Sequence, residues 1–247
     1  MKSDDKKVSL SLQNESENAV SDSPRSPRRA HDRVKRLVGM ALLAALAYLV
    51  MLAIKIPVSF LTLDVKDAII TLAAFLYGPL AGPILALLVA GLEAVTVSTT
   101  GIYGFIMNFT GSAIFSLVAS AIFCKTRRHR AAFAGLYAAI PIYAGVMLLM
   151  NLWITPLYTG APREAVVGML LPLLLPFNLA KSALNAAAVL LLYQPVLLAA
   201  VRSHAVGHIS FDLQKPARRE WIFFAAAVAV SAAIAVVALL IANAYAV

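Results

Sequence analysis

Asn178 and Lys181 interrupt a nearly unbroken apolar run, Leu173-Leu-Leu-Pro-Phe-Asn-Leu-Ala-Lys-Ser-Ala-Leu-Asn185, with an amide and an amine three residues apart. At helical spacing the two side chains share a face, and Asn185 lies one further turn along. A lysine near the middle of a membrane helix costs roughly 2.5–3.5 kcal/mol on insertion scales, so it requires a polar partner, a cavity or a ligand. An amide offers both a donor and an acceptor, which matches the alternating edge of a heterocyclic imide or amide ring. An ammonium adds a donor for a carbonyl or ring nitrogen.

Asn151, late in the preceding apolar span, approaches the same end of the chain's helices, so Asn151, Asn178 and Lys181 can converge on one cavity. Packing between helices is the competing role for all three. Asn108 shares a small-residue face with Gly104, Gly111 and Ser112; this favours close helix packing with an interhelical hydrogen bond, and Asn108 is also a candidate ligand contact. Glu93, about a turn from the end of the third span, reads equally as a proton or cation site, a partner for Lys181, or an acid exposed at the membrane interface. Ala41 and Ala45 form an i, i+4 stripe on which another helix can approach closely.

Catalytic chemistry has little support. The four histidines, His31, His129, His204 and His208, all lie in basic polar segments. Cys124, the single cysteine, excludes an internal disulfide and a cysteine-based metal cluster, and reads as a small apolar filler. The sequence has no Gly-x-x-x-x-Gly-Lys-[Ser/Thr] phosphate loop, so any ATP dependence has to come from a partner. A membrane-embedded enzyme would also need a catalytic set, and neither a metal-ligand cluster nor a Gly-x-Ser-x-Gly motif is present.

The elements that position these residues are membrane spans. Of 247 residues, 61% are hydrophobic and 13% charged, and the mean hydropathy is +0.84. That composition is an integral membrane protein's. The net charge of +9 sits in clusters between apolar spans, which membrane topology explains better than nucleic-acid binding.

Residues 1–33 lack apolar periodicity and read as a disordered tail. Spans follow at about 37–56, 65–77, 83–96, 103–123, 133–154, 168–201 and 221–244. The second is too short to cross alone without tilt or help from its neighbours. Pro172 and Pro176 are expected to delay regular helix in the sixth until about Phe177. The expected organisation is a cytoplasmic tail (1–33), a six-helix domain (34–201), a basic cytoplasmic connection (202–220) and a seventh transmembrane helix (221–247). The basic clusters 28–36, 125–130 and 202–219 fall on one side if seven helices alternate. That side is the cytoplasm, which places the N-terminus inside, the C-terminus outside and the loops at 58–64, 98–101 and 156–165 outside.

Several pieces occur in a telling order: the alanine stripe of the first helix, Leu61-Thr-Leu-Asp64, Phe75-Leu-Tyr-Gly-Pro-Leu-Ala-Gly82, Asn108-Phe-Thr-Gly111, Asn151 with Pro156-Leu-Tyr158, and Pro176-Phe-Asn-Leu-Ala-Lys181. Over roughly residues 35–200 this set resembles the riboflavin-binding substrate-specificity components of energy-coupling factor (ECF) transporters. The resemblance implies an all-α polytopic protein of the plasma membrane, with a six-helix core that binds riboflavin from outside and no catalysis or cofactor of its own. It further implies association with a transmembrane scaffold subunit and two ATPases. Carried over from the family, the flavin contacts are Leu61, Thr62, Leu63, Asn151, Asn178 and Lys181, and Ala41 and Ala45 meet the scaffold. A sister component specific for thiamin or a biotin-like vitamin is the nearest alternative. The chain departs from the six-helix pattern in its tail and seventh helix. It also has Val89-Ala90, with Glu93 nearby, where related third helices often carry a Lys-Asn pair.

Overall fold

The computed structural model describes residues 27–58, 60–202 and 218–244. Among them the elements run α1 (Pro27–Ala53), β1 (Ile56–Val58), β2 (Leu61–Leu63), α2 (Lys66–Tyr77), α3 (Ala81–Thr96), α4 (Gly101–Thr126), α5 (His129–Thr159), α6 (Arg163–Met169), α7 (Leu175–Arg202) and α8 (Arg218–Ala244). A π-helical turn, Leu170–Leu174, joins α6 to α7, making one apolar span over Arg163–Arg202. Among the described residues, five such spans are long and apolar enough to cross a membrane. The chain is an all-α polytopic membrane protein, with a small hairpin, β1–β2, among the described residues.

α2 is the centre of the bundle. Its 12 residues reach only about 18 Å at 1.5 Å per residue, well short of a bilayer core. All of them are buried, because α1, α3, α4 and α7 pack around the helix. The expected dependence on neighbours therefore takes the form of complete enclosure. Phe75 of α2 stacks on Phe123 of α4 with ring centroids 4.1 Å apart. Along α4, Ser116 and Ser120 donate to the carbonyls of Ser112 and Ser116, so a buried polar stripe satisfies itself and stays narrow. α5 meets α4 closely at Gly135, where a Cβ would collide with the Ala119 carbonyl.

Three local expectations need correction. The stretch expected as a loop at 58–64 contains an antiparallel ladder, with Ile56 opposite Leu63, Pro57 opposite Thr62 and Val58 opposite Leu61. Helix begins at Pro27, inside the stretch expected as tail; proline suits a first helical position because its missing N–H would have had no helical partner. Helix also begins at Arg163, well before Phe177. The π turn, in which the Leu175 N–H reaches back to the Leu170 carbonyl, accommodates the proline at 172 without ending the helix. Residues 1–26 and 203–217, including His204 and His208, lie outside the described residues.

α8 packs along α7 and the π turn. Tyr137 of α5 also holds it, donating to the Ala227 carbonyl at 2.8 Å and lying 3.1 Å from Ser231 Oγ. Its buried face repeats at Ser231, Ala235, Ala238 and Ala242, small residues that let two helix backbones approach.

Candidate functional site

A cavity of about 180 Å³ opens where the hairpin, the start of α2, the end of α3, the start of α4, the end of α5 and the start of α7 meet. Asn108, Asn151, Asn178 and Lys181 all line it, so residues spread over three helices share one wall system. Met51, Met107, Met147, Phe60, Tyr158 and Phe177 supply apolar and aromatic surface. Phe60 and Tyr158 meet edge to face at 6.5 Å.

Asn151 and Asn178 are fixed in rotation. Asn151 Nδ2 donates to the Met147 carbonyl at 2.7 Å, while its Oδ1 accepts from Thr155 Oγ1 at 2.9 Å. Asn178 Nδ2 donates to the carbonyl of Leu174, the last residue of the π turn, at 2.7 Å. Asn108 is only partly exposed and makes no interhelical hydrogen bond among the described residues; the expected bond from that face comes instead from Ser112, whose hydroxyl donates to Asp67 Oδ1. Of the hairpin residues, Leu61 and Thr62 line the cavity. Leu63 does not: it is buried in a cluster with Val58, Leu173, Phe177 and Ala180. Ala41 and Ala45 are exposed on α1, whose opposite face buries Ala44, Ala47 and Met51.

Lys181 is held by an ion pair. Its Nζ donates to Asp64 Oδ2 at 2.9 Å, with both side chains almost wholly buried. Lys66 Nζ lies 2.5 Å from Glu93 Oε2 and 3.7 Å from Asp64 Oδ2. Glu93 is therefore the partner of Lys66 and makes no ion pair with Lys181, one of the roles expected for it. Burial alone would push the Asp64 carboxyl up, but the ammonium groups of Lys181 and then Lys66 outweigh it and hold the group below its ordinary range. In the third helix Val89 and Ala90 are buried in packing, while Glu93 reaches the cavity.

Asn185 ties this network to the backbone. It is fully buried, accepts from the Ala68 N–H at 2.8 Å, and donates to the carbonyls of Asp64 and Lys181 at 2.9 Å each. The N-terminus of α2 lacks a side-chain cap of its own from Val65, so an amide from α7 satisfies one of its free N–H groups. Asp64 Oδ1 accepts from the Lys66 N–H at 3.2 Å.

Residues 35–193 match the family described as ECF transporter, substrate-specific component. The chain belongs to that family. The riboflavin transporter RibU of Staphylococcus aureus (strain TCH60) is 33% identical over 170 residues, 65% of this chain and 89% of the relative. A solved structure described as the S component of a bacterial ECF transporter superposes with a TM-score of 0.58 at 30% identity, covering 67% of this chain and 97% of its own. The family match ends before α8, which is an addition to the matched core.

Sequence reasoning missed Asp64 as a charge partner, Lys66 and Asp67, and gave no role to Asn185, which it placed one turn beyond Lys181. Asp64 ends the stretch expected as a loop, and Lys66 and Asp67 open the second span, which is apolar from Ala68 to Tyr77 apart from Thr71. Charges at the head of a fully apolar segment, facing a lysine in another span, were the available signal.

Proposed function

We propose that this chain is the riboflavin-binding subunit of a vitamin uptake transporter in the plasma membrane. It binds riboflavin from outside and delivers it in a complex with a transmembrane scaffold subunit and two ATPase subunits. The single observation that carries this reading is the cavity wall itself: three carboxamides and the ammonium groups of Lys55 and Lys181 gathered with methionine and aromatic surface. Such a wall suits a flat, mostly apolar ring system with a donor–acceptor edge. The likeness to the Staphylococcus aureus riboflavin transporter supports the same choice over other vitamins.

Leu61, Thr62, Asn108, Asn151, Asn178 and Lys181 are the contacts, with Lys181 delivered to the cavity by Asp64. At about 180 Å³ the cavity is smaller than the roughly 300–1,000 Å³ common for ligand sites, so admitting a flavin requires the hairpin and the α3–α4 connection to give way. The chain needs no cofactor and performs no catalysis of its own. Its N-terminus is cytoplasmic and its C-terminus external, with the cavity opening to the outside. Residues 1–33 and 202–220 act as cytoplasmic segments flanking the 34–201 binding domain, and 221–247 as an added membrane helix. Ala41 and Ala45 on the exposed face of α1 meet the scaffold.

Titration of the purified chain with riboflavin, followed by quenching of flavin fluorescence, tests the substrate. Saturable quenching that excess thiamin and biotin fail to reverse is expected. Displacement by thiamin or biotin, or no quenching, would assign the cavity to another ligand.

A further inference from the structure

α8 lies beyond the family match, and its packing is divided along its length. Ala235, 8% exposed, belongs to the main core cluster, and Phe224, Ala227 and Val228 pack against that cluster. Ala238 and Ala242, 7% and 0% exposed, belong instead to a second cluster with Val58 and Leu63 of the hairpin, Leu173 of the π turn, and Phe177. Phe177 lines the cavity, and Asn178 beside it is anchored to the carbonyl of Leu174. One end of the added helix thus backs the π turn directly and, through the cluster shared with Phe177, the hairpin side of the cavity wall. The exposed stripe of α1 is elsewhere: α1 packs on α2 and α3, whereas α8 packs on α7 and the π turn.

We infer that α8 is a positioning element of the binding site, which braces the hairpin and the π turn so that Phe177 and Asn178 are held in place and bound ligand is retained. Without a backing at Ala238 and Ala242, the widened turn at Leu170–Leu174 would face lipid and its register would be free to relax. A brace of this kind acts chiefly on how fast ligand leaves, because dissociation requires the wall to open. This inference rests on the flavin reading of the cavity.

The test compares Ala238→Leu and Ala242→Leu with Ala235→Leu in the full chain. Ala235 and Ala238 sit on the same buried face with nearly equal exposure, so overpacking should disturb the helix similarly at both while only the second reaches the cavity wall. Riboflavin release is followed by recovery of flavin fluorescence, with thermal unfolding of the ligand-free proteins alongside. Ala238→Leu and Ala242→Leu are expected to release riboflavin roughly tenfold faster than wild type, with Ala235→Leu within about twofold and the unfolding midpoints of Ala235→Leu and Ala238→Leu alike. Where leucine prevents folding, Ala238→Val and Ala242→Val against Ala235→Val carry the same expectation. Release unchanged in both cavity-end variants, or accelerated equally by the substitution at 235, overturns the inference. Wild-type protein that does not bind riboflavin at all instead overturns the substrate reading beneath it.

Discussion

Lys181 shows how a buried charge becomes usable. Asp64 holds its ammonium at 2.9 Å, Lys66 stands near the same carboxylate, and Asn185 fixes the backbone beneath both. Removing one partner of a buried pair strands the other, at a cost of about 3–5 kcal/mol. Lys181→Met is therefore expected to lower the unfolding temperature as well as affinity. The affinity loss should be roughly ten- to a hundredfold, the value of a hydrogen bond from a charged donor. The double variant Asp64→Asn/Lys181→Met should recover much of the stability and none of the affinity, since a neutral carboxamide in place of the Asp64 carboxylate no longer needs a cation. Thermal unfolding and fluorescence titration of the single and double variants check this. Affinity restored together with stability would show that Lys181 serves the fold alone.

At the scale of elements, the sequence was most informative where polarity interrupts apolar spans. Asn151, Asn178 and Lys181 stood out by type and spacing, and all three line the cavity. Leu63 is not on the cavity wall: the expected loop is a strand there, and Leu63 is buried in the Phe177 cluster while Leu61 and Thr62 line the cavity. The charges at 64–67 were visible at the head of an apolar span, but their partners were not, because Asp64 pairs across 117 residues and Lys66 across 27. The π turn was equally hidden, since proline in an apolar run is compatible with a break, a kink or a widened turn. Ala41 and Ala45 on α1 yield the clearest element-level prediction. Ala41→Trp or Ala45→Trp adds bulk to an exposed face, so riboflavin binding by the purified variant should match wild type while cellular uptake stops. Uptake assays beside binding titrations read both quantities. Loss of binding in either variant would mean that this face is coupled to the cavity.

For the whole molecule, the bundle, the short enclosed α2 and the added α8 together make a receptor whose cavity elements all gather at one end. The basic clusters 28–36, 125–130 and 202–219 are expected on the cytoplasmic side from the sequence, and the proposed orientation opens the cavity to the outside. A reporter fused after Val247 is expected to register outside the cell and one inserted at Val206 inside; both on one side would mean that α8 does not cross. The central claim, that the cavity takes a flavin, is tested most directly by the absorption spectrum of the full chain purified from cells grown with riboflavin. The account predicts a yellow protein with flavin bands near one equivalent per chain, released on unfolding and lost in Asn178→Leu. A folded but colourless protein that takes up no added riboflavin would contradict it.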